Sequence, residues 1–189
     1  MEKVSASELY LRHLEQIFQR EPEFYTMESP VEGLPGVTAL VYKDIPEPGY
    51  ITGFTYGLSL VEHPDWQLGR PELCISVKSE NMAWATVAAY MANHLRGDCP
   101  FLYAQTINFG DQIAADSPMD AFFVFAPSLL EREDYVNIDI GLGYKINIAG
   151  LYPMYAAEIP VLEAMGLEKF WHHPHFDLYD VNREMITGE

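Results

Sequence analysis

Residues 72–97, ELCISVKSENMAWATVAAYMANHLRG, contain the change of hydrophobic period that decides the fold. Glu72-Leu73-Cys74-Ile75-Ser76-Val77-Lys78 alternates with one side mostly apolar, the pattern of a strand. Asn81 belongs to the residue types that cap helices. After it Trp84, Val87, Ala88, Met91 and Leu95 recur at three- and four-residue steps until Gly97 supplies a left-handed stop. A strand thus passes directly into a helix.

Upstream, Ser5 followed by Glu8 is a capping-box pattern, and Leu9, Leu11, His13, Leu14, Ile17 and Phe18 form a largely apolar stripe. A helix is predicted from about Ala6 to about Arg20, stopping before Pro22. The Pro- and Gly-rich stretch from Pro30 to Gly36 precedes Val37-Thr38-Ala39-Leu40-Val41-Tyr42, a strand by its β-branched and apolar content. Pro46, Pro48 and Gly49 mark a turn, and Tyr50 to Tyr56 reads as a second strand, so the two form a hairpin.

Downstream, Ala121 to Phe125 is a short apolar run ended by Pro127, and Tyr144-Lys145-Ile146-Asn147-Ile148-Ala149 alternates before Gly150. Both read as strands. Pro153 suits the first turn of a helix through Met165, kinked or split at Pro160 and closed by Gly166, with a last short helix at Leu167 to Trp171. Strands mixed with a few helices, without a regular strand–helix–strand rhythm, give an α+β fold: a mixed, mostly antiparallel sheet with helices packed on it. There is no repeat and no linker, so one domain over 1–189 is expected.

The 189 residues include 28 acidic and 11 basic side chains, a formal net charge of −17, and 49% of them are apolar. That apolar share excludes wholesale disorder. The charge weighs against nucleic acid and anionic lipid as partners, because Lys and Arg supply the phosphate contacts on which such affinity rests. It favours solubility and steering toward a basic protein surface. The best apolar run, Met82 to Ala92, is about half the ~20 residues of a membrane-spanning helix. Met1-Glu2-Lys3-Val4-Ser5 has no apolar signal core, so a cytoplasmic location is expected. Cys74 and Cys99 make no disulfide framework and have no CxxC spacing, in keeping with a reducing compartment.

No catalytic motif is complete. Gly57-Leu58-Ser59-Leu60-Val61 lacks the second glycine of a nucleophile elbow. Gly141-Leu142-Gly143 has no third glycine at the dinucleotide-binding spacing, and no P-loop lysine follows any Gly-rich run. No cofactor is expected. The one cluster with metal-ligand atoms is His172-His173-Pro174-His175 with Asp177 and Asp180, at a spacing unlike a helical pair; the bland alternative is loop histidines. Glu131-Arg132-Glu133-Asp134 is either a solvated turn or, with Asp139 and further with Asp111, Asp116 and Asp120, part of an acidic docking face. The chain also has 10 Phe, 12 Tyr and 3 Trp, which serve cores and interfaces alike. Tyr42, Phe122, Phe123 and Phe125 read as core; Trp66, Trp171 and Tyr179 divide between core and interface.

Four motifs occur in an order that resembles the Suppressor of fused domain. They are Thr55-Tyr56-Gly57-Leu58-Ser59, Arg70-Pro71-Glu72-Leu73-Cys74-Ile75, Ser117-Pro118-Met119-Asp120-Ala121-Phe122 and Leu151-Tyr152-Pro153-Met154-Tyr155-Ala156-Ala157-Glu158. The resemblance is closer to the small bacterial single-domain members and runs from the first strand pair to Arg183 in Asp180-Val181-Asn182-Arg183. The animal members are two-lobed and sequester a transcription factor; this chain is too short for a second lobe. The bacterial relatives are often encoded beside polymorphic or LXG-type toxins and are regarded as immunity proteins. The resemblance therefore implies a non-enzymatic protein binder, an antitoxin for a basic, nuclease-type toxin domain. Composition alone nominates Glu131, Glu133, Asp134 and Asp139 for charge and Trp66 for packing. The rival functions are an adaptor that sequesters an endogenous regulatory protein and a metal-dependent hydrolase using the His172 to Asp180 region.

Overall fold

The computed structural model describes residues 4–188. The reading of a start without a signal core rests on Met1-Glu2-Lys3-Val4-Ser5, of which the first three residues lie outside the described ones.

The strands are β1 (Glu23–Met27), β2 (Val37–Lys43), β3 (Ile51–Tyr56), β4 (Arg70–Val77), β5 (Thr106–Asn108), β6 (Ala121–Phe125) and β7 (Ile146–Met154). They form one seven-stranded sheet in the order β1-β2-β3-β4-β7-β6-β5. Neighbours are antiparallel except β4 and β7, which run parallel with Arg70 opposite Ile146 and Cys74 opposite Gly150. A parallel pair needs a long crossover. Here the connection contains α2 (Met82–Leu95), β5 and β6. The other helices are α1 (Ala6–Phe18), α3 (Arg132–Tyr135), α4 (Ile159–Met165) and α5 (Leu167–Trp171). The architecture is the α+β arrangement expected from the sequence.

Because side chains alternate across a strand, the sheet buries both faces in different helices. Val37, Ala39 and Val41 of β2 and Leu73, Ile75 and Val77 of β4 meet Trp84, Ala88 and Met91 of α2. Leu40, Tyr42, Phe54 and Cys74 meet Tyr10 and Leu14 of α1. At the far end, Phe123, Tyr152 and Met154 meet Leu162 of α4 and Phe170 of α5. Helix α1 starts as its sequence predicts: Glu8 N–H donates to Ser5 Oγ at 3.2 Å and Ser5 N–H to Glu8 Oε2 at 2.8 Å. Asn81 caps α2 by accepting from Ala83 N–H at 3.0 Å.

Tyr42, Phe122 and Phe123 are buried, and Phe125 is half-buried against the same cluster as Phe123. Trp171 packs its ring on Tyr152 and Phe125, with centroids at 5.0 and 5.2 Å. Tyr179 is half-buried, its ring edge-on to Tyr50 at 5.5 Å.

The region after Ala149 corrects the sequence reading. β7 runs through Gly150 and Pro153 to Met154, and no helix begins at Pro153. Gly150 lies between Cys74 of β4 and Phe125 of β6, and the Tyr152 ring occupies the space beside it. Pro153 lies beyond the part of β7 that pairs with β4, so its missing N–H interrupts no ladder on that side. The proline that opens the helix is Pro160, in the first turn of α4, which it neither kinks nor splits. Strands β1 and β5 were not anticipated.

Two buried carboxylates hold the loops to this frame, and the motifs of the resemblance supply them. Glu72 is fully buried. Thr55 Oγ1 donates to its Oε2 at 2.6 Å, while Gly57 N–H, Ser59 N–H and Ser59 Oγ donate to its Oε1 at 2.9, 3.1 and 2.7 Å. The 3-10 turn Leu58–Leu60 that these bonds secure begins after Gly57, whose φ is 131° and whose Cβ, if present, would lie 2.9 Å from Gly36 O. Only glycine fits there. On its other side Gly57 C=O accepts from Arg96 Nη1 at 3.2 Å, and Arg96 also binds Ser29 Oγ and Pro35 C=O. Glu158, equally buried, receives both Arg183 nitrogens at 2.7 and 2.8 Å and the Ile186 and Tyr155 N–H groups at 2.7 and 3.0 Å. The C-terminal tail is thereby tied to the end of β7.

Gly53 of β3 faces α2 so closely that a Cβ would lie 2.1 Å from Ala85 O. Gly53→Ala forces the helix from the sheet and is expected to cost about 1–3 kcal/mol, read from urea unfolding. Burial pushes the Glu72 carboxyl above its ordinary 4.5, against the opposing hydrogen bonds from Thr55, Gly57 and Ser59. The folded chain therefore holds this proton more tightly than the unfolded chain does: that stabilisation is full below pH 4.5 and is lost as pH rises through the raised value. Relative to Glu72→Gln, which stays neutral, the parent protein should lose stability across that rise; urea midpoints that run parallel across pH would contradict this.

Candidate protein interface

Beside the parallel pair, where β4 and β7 begin, the surface opens into a cleft of about 720 Å3. One wall is the loop before β4, with Trp66 and Leu68; a second is the segment after α2, with Phe101, Leu102 and Tyr103; a third is α3, with Arg132 and Tyr135; Ile148 and Ala149 of β7 form part of the floor. The walls are held by polar side chains turned onto backbone. Trp66 Nε1 donates to Pro100 C=O at 2.8 Å, joining the first wall to the second. Asn147 Nδ2 donates to Leu68 C=O at 3.2 Å and its Oδ1 accepts from Asn137 N–H at 2.8 Å, joining β7 to the first and third walls. The His13 ring, through Nε2, bonds Asp134 C=O at 2.7 Å and pins α3 to α1.

The cleft is lined by strained backbone and rimmed by exposed apolar groups. Phe101 and Asn137 have φ of 51° and 58°, and Ala104, next to the second wall, 69°. Such conformations are costly for residues with a Cβ, and they collect at binding and catalytic sites. Leu68 is 89% exposed, Tyr103 50% and Leu102 46%. Three exposed apolar side chains around one concavity are the kind of surface that partners cover.

Of the residues nominated from sequence, Trp66 lines this cleft and is half-buried. Glu131 and Glu133 are exposed and Asp134 half-buried on α3 and its cap, the element that supplies Arg132 and Tyr135 to the wall. Asp139 is exposed and bonded to Lys145 Nζ and to Gly141 N–H, which hold its carboxyl below the usual value. Asp116 and Asp120 serve local structure instead: Asp116 accepts from Ser79, Asn81 and Trp84 at the start of α2, and Asp120 from Ala156 N–H. Leu68, Leu102, Tyr103 and Tyr135 were not nominated. The signal for Leu68 was a lone leucine in a polar loop; Pro100-Phe101-Leu102-Tyr103 was an apolar run without a period.

The His173 and His175 rings meet edge to face, with centroids at 5.4 Å. His172 Nδ1 bonds Glu168 C=O, His173 Nδ1 accepts from His175 N–H, and His175 faces Glu184 at 3.4 Å. Among the described residues no group of three His, Cys, Asp or Glu is placed to hold a metal ion. Cys74 and Cys99 are both unpaired and buried, and burial pushes the Cys74 thiol up to about 12. Among the described residues no helix is long and apolar enough to cross a membrane.

The class that these features define is an α+β protein with a mixed sheet covered on both faces and an apolar surface cleft. No family model matches the sequence, and no curated protein matches it. Solved structures do match. A SUFU (suppressor of fused protein) homolog from Neisseria gonorrhoeae superposes with a TM-score of 0.68 over 96% of this chain and 97% of its own, at 17% identity. A chain of the Sufu–Fu complex gives 0.59 over 96% and 91%, at 12% identity. Drosophila Suppressor of Fused gives 0.58 over 93% of this chain and 49% of its own, at 13% identity, so this chain spans about half of that protein. The fold is that of Suppressor of fused.

Replacing Trp66 by Phe removes the bond to Pro100 C=O but keeps the ring. It is expected to cost about 1 kcal/mol and to raise amide exchange in both the 65–69 and 100–104 segments while α2 stays protected, a pattern that hydrogen-exchange mass spectrometry resolves.

Proposed function

We propose that the chain is a non-enzymatic protein-binding domain, one unit over 1–189, that acts in the cytoplasm as an immunity protein: it binds and neutralises a basic toxin domain, of nuclease type. The observation that carries this reading is the combination of a Suppressor of fused fold with a net charge of −17. One protein of this fold is seen in complex with a protein, Fu. A domain that cleaves nucleic acid must present a basic surface to phosphates, and an acidic protein is attracted to that surface from a distance. Glu131, Glu133 and Asp134, with Asp139 beside its partner Lys145, supply charge on the side of the molecule that carries α3, and Trp66 supplies packing. Charge sets the rate of encounter, packing the residence time.

The Sufu–Fu complex also favours a second reading, an adaptor that sequesters an endogenous regulatory protein. Co-expression with a toxin gene encoded beside this one separates the two: the immunity reading expects such a gene and growth restored by this protein alone, and no rescue removes it. For the purified pair, association should slow by about tenfold or more from low to physiological salt, and Glu131→Lys with Glu133→Lys should reproduce most of that loss at low salt. Stopped-flow rates indifferent to salt would remove steering.

A further inference from the structure

We infer that the cleft lined by Asp65, Tyr103 and Arg132 is a binding site for a small zwitterion with an apolar body, an amino acid or a short peptide with free termini. Such a site goes beyond the chain's reading as a protein binder and does not depend on it.

The cleft holds polar groups that the fold leaves uncommitted. The Trp66 N–H and the Asn147 amide are spent on backbone, but among the described residues no hydrogen bond or ion pair engages the side chains of Gln67, Arg132 and Asn137 or the hydroxyls of Tyr103 and Tyr135. Asp65 has His63 beside it, with Nδ1 at 3.8 Å. That nitrogen accepts the Asp65 N–H at 3.2 Å, so it presents no proton to the carboxylate. The rest of the lining includes the rings of Trp66 and Phe101 and the side chain of Ile148. Apolar walls with a few polar groups are the composition of a small-molecule site, and a volume of about 720 Å3 lies within the roughly 300–1,000 Å3 of such sites.

The ligand's charge follows from two ions of opposite sign on different walls, Asp65 on the loop before β4 and Arg132 on α3. Whatever fills the cleft takes water from the side of each ion that lines it, and an ion that loses water needs a partner. An uncharged molecule answers neither. An anion answers Arg132 but adds to Asp65 and to a chain of net charge −17; a cation answers Asp65 but opposes Arg132. A zwitterion answers both and meets the acidic field with no net charge. Its carboxylate belongs at Arg132. Burial and then Tyr135 raise the Tyr103 phenol while Arg132 lowers it, so the guanidinium acts on the same space as the two phenols, and three donor groups serve one carboxylate there. The ammonium belongs at Asp65, where the Gln67 amide oxygen is a further acceptor. Glu131 and Glu133 flank Arg132 in sequence, exposed and outside the lining, and contribute only to the outer field.

The test titrates two probes into the 15N-labelled protein, free phenylalanine and the tripeptide alanyl-phenylalanyl-alanine, each also in N-acetylated and C-amidated form. At least one free probe is expected to shift the amides of Gly69, Leu102, Tyr103 and Asn137 saturably, and capping either end should weaken it by about tenfold or more. The tighter of the two free probes assigns the site to amino acids or to peptides, and in both cases the site stands. The size of the cleft favours the tripeptide. In Asp65→Asn acetylation should cease to matter, and in Arg132→Gln amidation should cease to matter; both positions are exposed, so neither change should move the urea midpoint. Absence of saturable shifts from both probes at millimolar concentration, caps without effect, shifts confined to another surface such as the β1 edge around Phe24, or lysinamide bound more tightly than either zwitterion overturns the proposal. The co-expression result is independent of all of these.

Discussion

A carboxylate removed from water must have its oxygens met by donors, and the arrangement around Glu72 depends on that constraint. The four hydrogen bonds that it accepts come from two hydroxyls and two backbone N–H groups, with no formal cation among them. Dispersed neutral donors cost less desolvation than a second buried ion, but each must be delivered by backbone in a fixed place. The 3-10 turn after β3 is that delivery, and Gly57 is the residue whose backbone can make it. Arg96 then reaches the same glycine's carbonyl from the end of α2, so a helix on one face, the β1–β2 connection and the β3–β4 connection converge on one peptide group. Removing the carboxylate would release several elements together.

The cleft is a consequence of this frame. β4 and β7 are parallel neighbours, so the chain must leave the sheet after β4 and return to begin β7 at the same end. That end gathers connections: the loop entering β4, the segment leaving α2 and the α3 turn before β7. None of them can fill the space completely, because β6 pairs with β7 only from Gly150 onward, and the first residues of β7 have Ile138 as their neighbour on that side. The concavity is where the mixed sheet changes from parallel to antiparallel pairing. Positive φ at Phe101 and Asn137 is the local strain of directing loops around it.

How much of this was legible follows from how the energy is distributed along the chain. Helix α2 and strand β4 carry apolar residues at a regular period, while β2, β3 and β6 are short apolar or β-branched runs bounded by turn residues, and both signals survive in sequence. β1 does not: it pairs on one side only and its first four residues are exposed, so its alternation has no apolar face to mark it. β5, at three residues, is shorter than any period. The Gly150 to Pro153 stretch misled because both residues are local breakers; tertiary pairing with β6 overrode them. At the cleft, Trp66 stood out as a large apolar residue in polar surroundings, whereas Tyr103 and Tyr135 belong to short irregular segments and meet it only through the crossover. The resemblance motifs were legible as an order of short strings. Their chemistry, two buried carboxylates with their donors, was not, because Glu158 and Arg183 are joined across 25 residues.

The charge balance has a structural side that bears on the proposed partner. Several of the few cations are turned toward the protein itself. Lys43, Arg70, Lys145 and Arg183 are paired with Glu23, Glu62, Asp139 and Glu158, while Arg20 and Arg96 bind backbone carbonyl groups. Pairing on the surface contributes little stability, but it neutralises those cations locally and leaves the remaining acids to set the outer field. A chain that needed only solubility could interleave its charges. With many of its cations engaged internally, the protein presents an outer surface dominated by acids, which repels other acidic surfaces.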